Sequence, residues 1–420
     1  MSIFVALLNL AFIFLLANWM KRKYKPESPL LYWSSFCVKV VAGISLGLIY
    51  SYYYSASDTW IFIKDAKALS AIAHDHFVDY LKYLWADENI PGVLAIDRSL
   101  VLVKLISVFS LVSDNNYWIC AIYFSFIAFS ATWYLYNILT KYLFESSLAA
   151  ALAILFFPSV VFWGSGLVKE TIALAGIYFI AGSFLKFTQS NKISLWELVF
   201  LILSIFLLWG LKYYWAAIFL PSLFTTFIIF RIDKNLPLTQ RKMIFMWSTI
   251  FIFICLLVTF THPNFYLESF LGVVVDNYYQ FAKISPSDSL IHFYDLKPTW
   301  ASILINSPWA LFSGLFRPFI WEANGITALI ASLENLFLIM LFISFFIFRK
   351  IIKGKWRFPI VIYSFLLCIF LALSTPNFGT LSRYRVGFLP FLVFVLSYRN
   401  PFIDYSFLAI KGIIKSYRTK

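Results

Sequence analysis

Residues 2–25 read SIFVALLNLAFIFLLANWMKRKYK. An apolar run ends in a cluster of cations, Lys21, Arg22, Lys23 and Lys25. As a helix the run is about 28 Å long, close to the roughly 30 Å hydrocarbon core of a bilayer. The cations mark its cytoplasmic end under the positive-inside rule. No basic stretch precedes the run, so it reads as a reverse-oriented first span, N-terminus outside, rather than a cleavable signal.

The same pattern recurs along the chain. Of 420 residues 61% are hydrophobic and only 13% charged, with a mean hydropathy of +0.81, far more apolar surface than a water-soluble domain requires. The expected fold is an all-α, polytopic transmembrane helix bundle in a single domain, 1–420. Spans are expected at 2–19, 31–53, 117–139, 147–163, 170–186, 194–211, 213–230, 243–260, 325–348, 357–373 and 385–398, about eleven in all. Two shorter apolar pieces, 99–112 and 299–317, are read as lying outside the membrane. If neither crosses, the basic links 21–25, 231–242 and 349–357 and the C-terminal tail all fall on one side. A count of about thirteen spans is the alternative. The protein is therefore expected to be integral to the membrane and multi-pass, N-terminus outside and C-terminus cytoplasmic. The formal charge of +14 sits largely in these links, where it sets topology and meets anionic lipid, and it does not indicate nucleic acid. The four cysteines, each within an apolar run and none in a CxxC pair, are expected to be free buried thiols.

Two outer loops, 54–115 and 261–324, carry the polar residues. The first opens on SDTWIFIKDAKA (57–68). Asp58 and Asp65 lie seven residues apart, about two turns, so a helix puts both on one face. Residues 58–85 alternate charged and apolar residues at helical spacing, which predicts an amphipathic helix on the membrane surface. The turn WGSGLVKE (163–170) adds Lys169 and Glu170, the second loop adds His292, Arg317 and Glu322, and STPNFGTLSRYR (374–385) adds Arg383 and Arg385. Outer arginines run against the topological bias, and an anionic ligand explains them. Sugar transfer from a lipid phosphate needs such a set: a carboxylate as base for the acceptor hydroxyl, Asp58 or Asp65, and cations for the phosphate, Arg383, Arg385, Arg317 or Lys169. His292, Glu322 and Glu170 are candidates for the acceptor side. Each also has a plainer reading. Asp58 has the form of an N-cap, Arg383 and Arg385 of helix-end anchors, and Lys169-Glu170 of a mutually neutralised pair. His74-Asp75-His76 is not expected to hold a metal, because i,i+2 side chains diverge on a helix.

Three stretches carry a resemblance: SDTWIFIKDAKAL (57–69), FFPSVVFWGSGLVKETI (156–172) and TPNFGTLSRYRVGFLPF (375–391). An acid just after an early span, followed by a long outer loop with surface helices, resembles the GT-C superfamily of integral-membrane glycosyltransferases, and the three stretches are also similar to a poorly characterised group of bacterial membrane proteins, which implies a bacterial plasma membrane. The resemblance implies a polyprenyl-phosphate-linked sugar donor, a saccharide or lipid acceptor, inverting transfer and a base in the first loop, which by position is Asp58, with Asp65 second. No organic cofactor is implied, and a divalent metal is left open. The sequence departs from the pattern in having an extra helix before that loop. Two other functions remain in view: a polysaccharide polymerase or O-antigen ligase leaning on His292, Arg317, Arg383 and Arg385, and a non-enzymatic transporter or lipid flippase. The latter is expected to show broken helices and mid-membrane charge, in which the spans read as poor.

Overall fold

The structure is a computed structural model and describes residues 3–53, 58–86, 90–348 and 356–405. Asp87 and Glu88 of the first loop, most of the link 349–357 and the tail from 406 lie outside the described residues. The chain is helical throughout, with no strand among the described residues. The first six helices are α1 (Ile3–Tyr24), α2 (Pro29–Tyr52), α3 (Asp58–Asp75), α4 (Phe77–Trp85), α5 (Asp97–Val112) and α6 (Tyr117–Tyr142). Next come α7 (Ser147–Ala150), running into a π-helical turn at Ala151–Phe156, then α8 (Pro158–Trp163), α9 (Lys169–Ser190), α10 (Leu195–Asn235) and α11 (Gln240–Val258). The last six are α12 (Phe270–Ile284), α13 (Trp300–Phe316), α14 (Ile326–Phe348), α15 (Arg357–Ser374), α16 (Phe378–Tyr384) and α17 (Leu389–Ser397).

Among the described residues, eight helices are long and apolar enough to cross a membrane, or nine if the bent pair 378–397 counts as one span. The expected run of about eleven differs from this where helices break. The segment 147–163 is interrupted by the π-helical turn and by Pro158, which holds Phe157 in extended backbone. The segment 385–398 belongs to a pair bent by 68°. The stretches 194–211 and 213–230 belong to one 41-residue element whose backbone leaves helical geometry at Lys212 (φ −144°, ψ 61°). Unbroken, it would run about 60 Å, twice the bilayer core.

The contacts group the chain into two compact units. One comprises Met1–Ile138, Val160–Lys186 and Lys192–Tyr213, the other Leu139–Ser159, Phe187–Asn191 and Tyr214–Lys420. In the first, α1 is tied down by Asn9, which donates to Val112 O (3.0 Å) and accepts from the Tyr123 hydroxyl (2.6 Å). The Tyr32 hydroxyl on α2 donates to Ala17 O at 2.6 Å. Helix α2 meets the non-helical stretch between α8 and α9 backbone to backbone. A Cβ on Gly43 would lie 2.2 Å from Ser125 Oγ and 3.0 Å from Gly166 N. Gly166 itself sits at φ +72°, which favours glycine.

The first loop folds as a helical module. The single surface helix expected over 58–85 is two helices, α3 and α4, parted at His76. The apolar piece 99–112 lies within α5, which packs against α3. In the second unit, α13, which contains most of 299–317, packs on α15 so closely that a Cβ on Gly314 would lie 2.7 Å from Cys368 Sγ. Of the cysteines, Cys120 and Cys368 are buried and Cys255 half-buried, but Cys37 faces outward, contrary to expectation.

Gly43→Ala is expected to lower the thermal midpoint of the detergent-solubilised protein by several degrees, from an overpacking cost of about 1–3 kcal/mol, because the atoms it meets include fixed backbone. Gly272→Ala, in α12 with nothing within 4 Å of the new Cβ, is expected to leave that midpoint unchanged or raise it. Tryptophan fluorescence on heating reads both, and equal midpoints for the two variants would contradict the close approach of α2.

Candidate functional site

In the first unit the site begins with the opening turn of α3. Thr59 is buried, with its hydroxyl 2.6 Å from that of Tyr117 at the start of α6. Trp60 stacks on the Tyr117 ring at 4.1 Å, and its Nε1 donates to Ser51 Oγ near the end of α2 at 2.9 Å. These contacts fix the turn between the ends of α2 and α6. Asp58, which opens it, is exposed.

Asp65 shares the helix with Asp58 but not its surroundings. It is 1% exposed, and its Oδ2 accepts from the backbone N–H groups of Leu94 (3.2 Å) and Ala95 (2.8 Å). The stretch before α5 folds over this part of α3, and the carboxylate holds it. A carboxylate engaged by two backbone amides positions a loop, so the two acids placed together by spacing have separate work.

Lys169 opens α9. Its Nζ donates to Ser99 Oγ on α5 at 2.8 Å and lies 5.5 Å from the centre of the Phe62 ring, one turn along α3 from Asp58. Glu170 is fully buried and pairs at 2.5 Å with Lys212. Arg98, exposed on the first turn of α5, carries its guanidinium 5.2 Å over the ring of Tyr213. Lys39, 1% exposed at the middle of α2, donates to Gly164 O at 2.8 Å, where the chain leaves helical form between α8 and α9. A lysine inside an apolar run was the sequence signal for Lys39. Nothing in the spacing foretold that Lys212 would find Glu170.

In the second unit two of the expected phosphate cations are matched by acids. Arg317 Nε donates to Glu322 Oε1 (2.8 Å) and Oε2 (3.1 Å), and its NH2 also pairs with Glu322. The same guanidinium lies 4.8 Å from the ring centre of Phe378. Arg385 is buried and donates to Glu334 Oε1 (2.9 Å) and Asn335 Oδ1 (2.6 Å). Glu334 Oε2 accepts from Ser159 N at 2.6 Å, and Asn335 donates to Pro318 O at 2.9 Å. Glu334 was missed in the sequence, although it is a lone acid in the run ITALIASLENLFLIMLFISFFIF. Arg383 is also buried.

His292 stands on the second loop, where its Nε2 donates to Ser287 O at 2.9 Å and its carbonyl accepts from Trp309 Nε1 at 3.1 Å. On the same loop the exposed Lys297 is held above its ordinary pKa by its hydrogen bond to Asp295. Thus Asp58, Asp65, Lys169 and Glu170 belong to the first unit, and His292, Arg317, Glu322, Arg383 and Arg385 to the second. Among the described residues no three His, Cys, Asp or Glu side chains form a metal-binding group. No protein-family model matches the chain, and no curated protein or solved structure does so either.

The buried pair gives a direct test of the second unit. Glu334→Ala leaves the Arg385 charge uncompensated, at an expected cost of about 3–5 kcal/mol. The folded fraction recovered by size-exclusion chromatography should fall sharply, and Glu334→Leu combined with Arg385→Met should restore much of it. A single variant as stable as wild type would contradict the pairing.

Proposed function

We propose that the chain is a membrane glycosyltransferase that moves a sugar from a polyprenyl-phosphate-linked donor to a saccharide or lipid hydroxyl, for cell-surface polysaccharide or glycolipid synthesis. The observation that carries this reading is the exposed carboxylate of Asp58 on a turn fixed by Thr59 and Trp60, with the Lys169 ammonium against Phe62 one turn away. The base takes the proton of the acceptor hydroxyl, whose oxygen attacks the anomeric carbon. The bond from that carbon to the phosphate oxygen breaks, and its electron pair leaves with the phosphate. A cation beside the leaving group stabilises the charge that grows there. Asp58 takes the role of base and Asp65 holds the loop before α5. In this reading the protein works at the outer face of a bacterial plasma membrane, N-terminus outside. The resemblance to GT-C enzymes supports the donor class, and the helical module α3–α5 is the kind of first loop that resemblance implies.

The polymerase or ligase reading draws less support, because Arg317 and Arg385 are engaged by Glu322 and Glu334. The transporter or flippase reading gains from one observation, the buried Lys39 bonded to a carbonyl where a helix is interrupted, a placement that substrate pathways use.

The test compares wild type with Asp58→Asn in nanodiscs, against a panel of polyprenyl-phosphate sugars. The variant should bind donor as wild type does and lose turnover by about 100-fold or more. Full turnover by the variant removes Asp58 as base. A wild type that transfers nothing but moves the lipid between leaflets, with Lys39→Met abolishing that movement, replaces the enzyme by the transporter.

A further inference from the structure

In the second unit, Arg357 opens α15. Its guanidinium lies among three rings, 5.7 Å from the centre of Phe345 on α14, 5.7 Å from that of Trp356 and 6.0 Å from that of Tyr398, just after α17. The Tyr398 hydroxyl is engaged elsewhere, donating to Phe144 O at 2.6 Å. The rings offer their faces to the charge but no lone pair to its N–H groups. Nε and Nη2 of Arg357 are shielded from solvent, and neither meets an acceptor. No acid among the described residues pairs with this side chain. Glu145 is taken by Arg399, whose Nε stands 2.8 Å from it, and Asp404 is exposed. The segments 349–355 and 406–420, RKIIKGK and SFLAIKGIIKSYRTK, hold no Asp or Glu.

Arg317 shows what this edge of a guanidinium does in the same unit. There Nε and Nη2, the same two donors, engage the carboxylate of Glu322. We infer that Arg357 is the phosphate contact of a binding site for an anionic phospholipid, with Nε and Nη2 donating to two phosphate oxygens.

The chemistry follows from the side chain. A guanidinium stays charged at every physiological pH, so the edge keeps its donors. Two parallel N–H groups fit an acceptor that carries two oxygens on one atom. The edge holds no hydrogen bond, so swinging the long side chain outward breaks none, and Arg357 as a whole is only half-buried. The surroundings favour a lipid over a free ion. Phe346 packs edge-on against Phe345 at 5.6 Å, and Ile343, Phe346 and Ile347 on α14 are exposed. Both α14 and α15 are long and apolar enough to cross a membrane. An acyl chain lies along that strip of α14 while its headgroup meets Arg357, and a free phosphate gains nothing from the strip. The positive-inside expectation puts this end of α15 on the cytoplasmic side with the basic link, where anionic lipid is drawn. The site is independent of Asp58 and of the transferase reading.

The test uses full-length protein stripped of lipid in a non-ionic detergent. The thermal midpoint is read by tryptophan fluorescence as phosphatidylglycerol, phosphatidylcholine or inorganic phosphate is added. Phosphatidylglycerol should raise the wild-type midpoint by several degrees, and phosphatidylcholine should not. Arg357→Gln should raise the half-saturating concentration of phosphatidylglycerol about 10- to 100-fold. It should leave the lipid-free midpoint close to that of wild type, since the edge it removes is unbonded. Arg357→Lys keeps the charge, lacks the fork and should also weaken binding. Lys297→Gln, at an exposed lysine paired with Asp295 on the second loop, should respond as wild type does. Protection by inorganic phosphate with the same dependence on Arg357 supports the site and makes the free ion its ligand. Equal protection by phosphatidylcholine, no protection by any probe, or a full response in Arg357→Gln or Arg357→Lys overturns the inference. A midpoint lowered equally with and without lipid in Arg357→Gln also overturns it, because that marks a cation serving only to hold its rings together.

Discussion

Charge removed from water is the constraint on which this interior turns. An ion moved into an apolar bundle costs several kcal/mol unless a partner meets it there. Each buried ion described above has found one. Glu170 meets Lys212, Glu334 meets Arg385 and Asn335, and the Lys39 ammonium meets a carbonyl. None of these partners is a sequence neighbour: Arg385 and Glu334 are 51 residues apart, and Lys39 and Gly164 are 125 apart. Each contact therefore forms only when distant helices have already come together, and each penalises arrangements that leave a charge alone.

The helix breaks belong to the same account. A helix that stops exposes amides at one end and carbonyls at the other, and these need partners as much as ions do. The chain uses one need to meet the other. Gly164 O, freed before α9, receives Lys39. Ser159 N, in the first turn of α8 just after Pro158, donates to Glu334. Lys212 is itself the break in α10 and reaches Glu170, and Arg385 stands where α16 gives way to the turn before α17. Close packing does the rest in each unit. Gly43 lets α2 approach the interrupted stretch and Gly314 lets α13 lie against α15, where a side chain would hold the backbones apart.

Much of this was legible in the sequence, for a physical reason. Apolar runs of spanning length with cations at their ends follow directly from the cost of burying backbone and charge, and they appear as α1, α2, α6, α9, α11, α14 and α15. The helical first loop was legible from its period, and the interruption at residue 212 from the length limit of the spans. Properties fixed by distant partners were not legible. Spacing put Asp58 and Asp65 on one face, yet the stretch before α5 covers only the second. Outer arginines suggested a phosphate, yet Arg317 and Arg385 have carboxylates of their own. The matching acid, Glu334, lay unremarked within an apolar run of spanning length. The π-helical turn after α7 left no mark beyond Pro158, which follows it.

That outcome changes how a basic residue at a membrane protein's surface is to be read. Position near an apolar boundary sorts cations poorly, since structural and ligand-binding ones both gather there. What a cation touches sorts them better. Arg385 is buried, with NH1 and NH2 engaged by an amide and an acid, a geometry that ties distant helices of the bundle together. Arg98 lies over a ring at the surface, and Lys169 is bonded to a hydroxyl over another ring. The same reasoning separates the acids. Asp65 is engaged by two backbone amides and buried, whereas Asp58 is exposed on a turn held by its neighbours, Thr59 and Trp60, so two acids on one helix face differ in what the surrounding chain does to them.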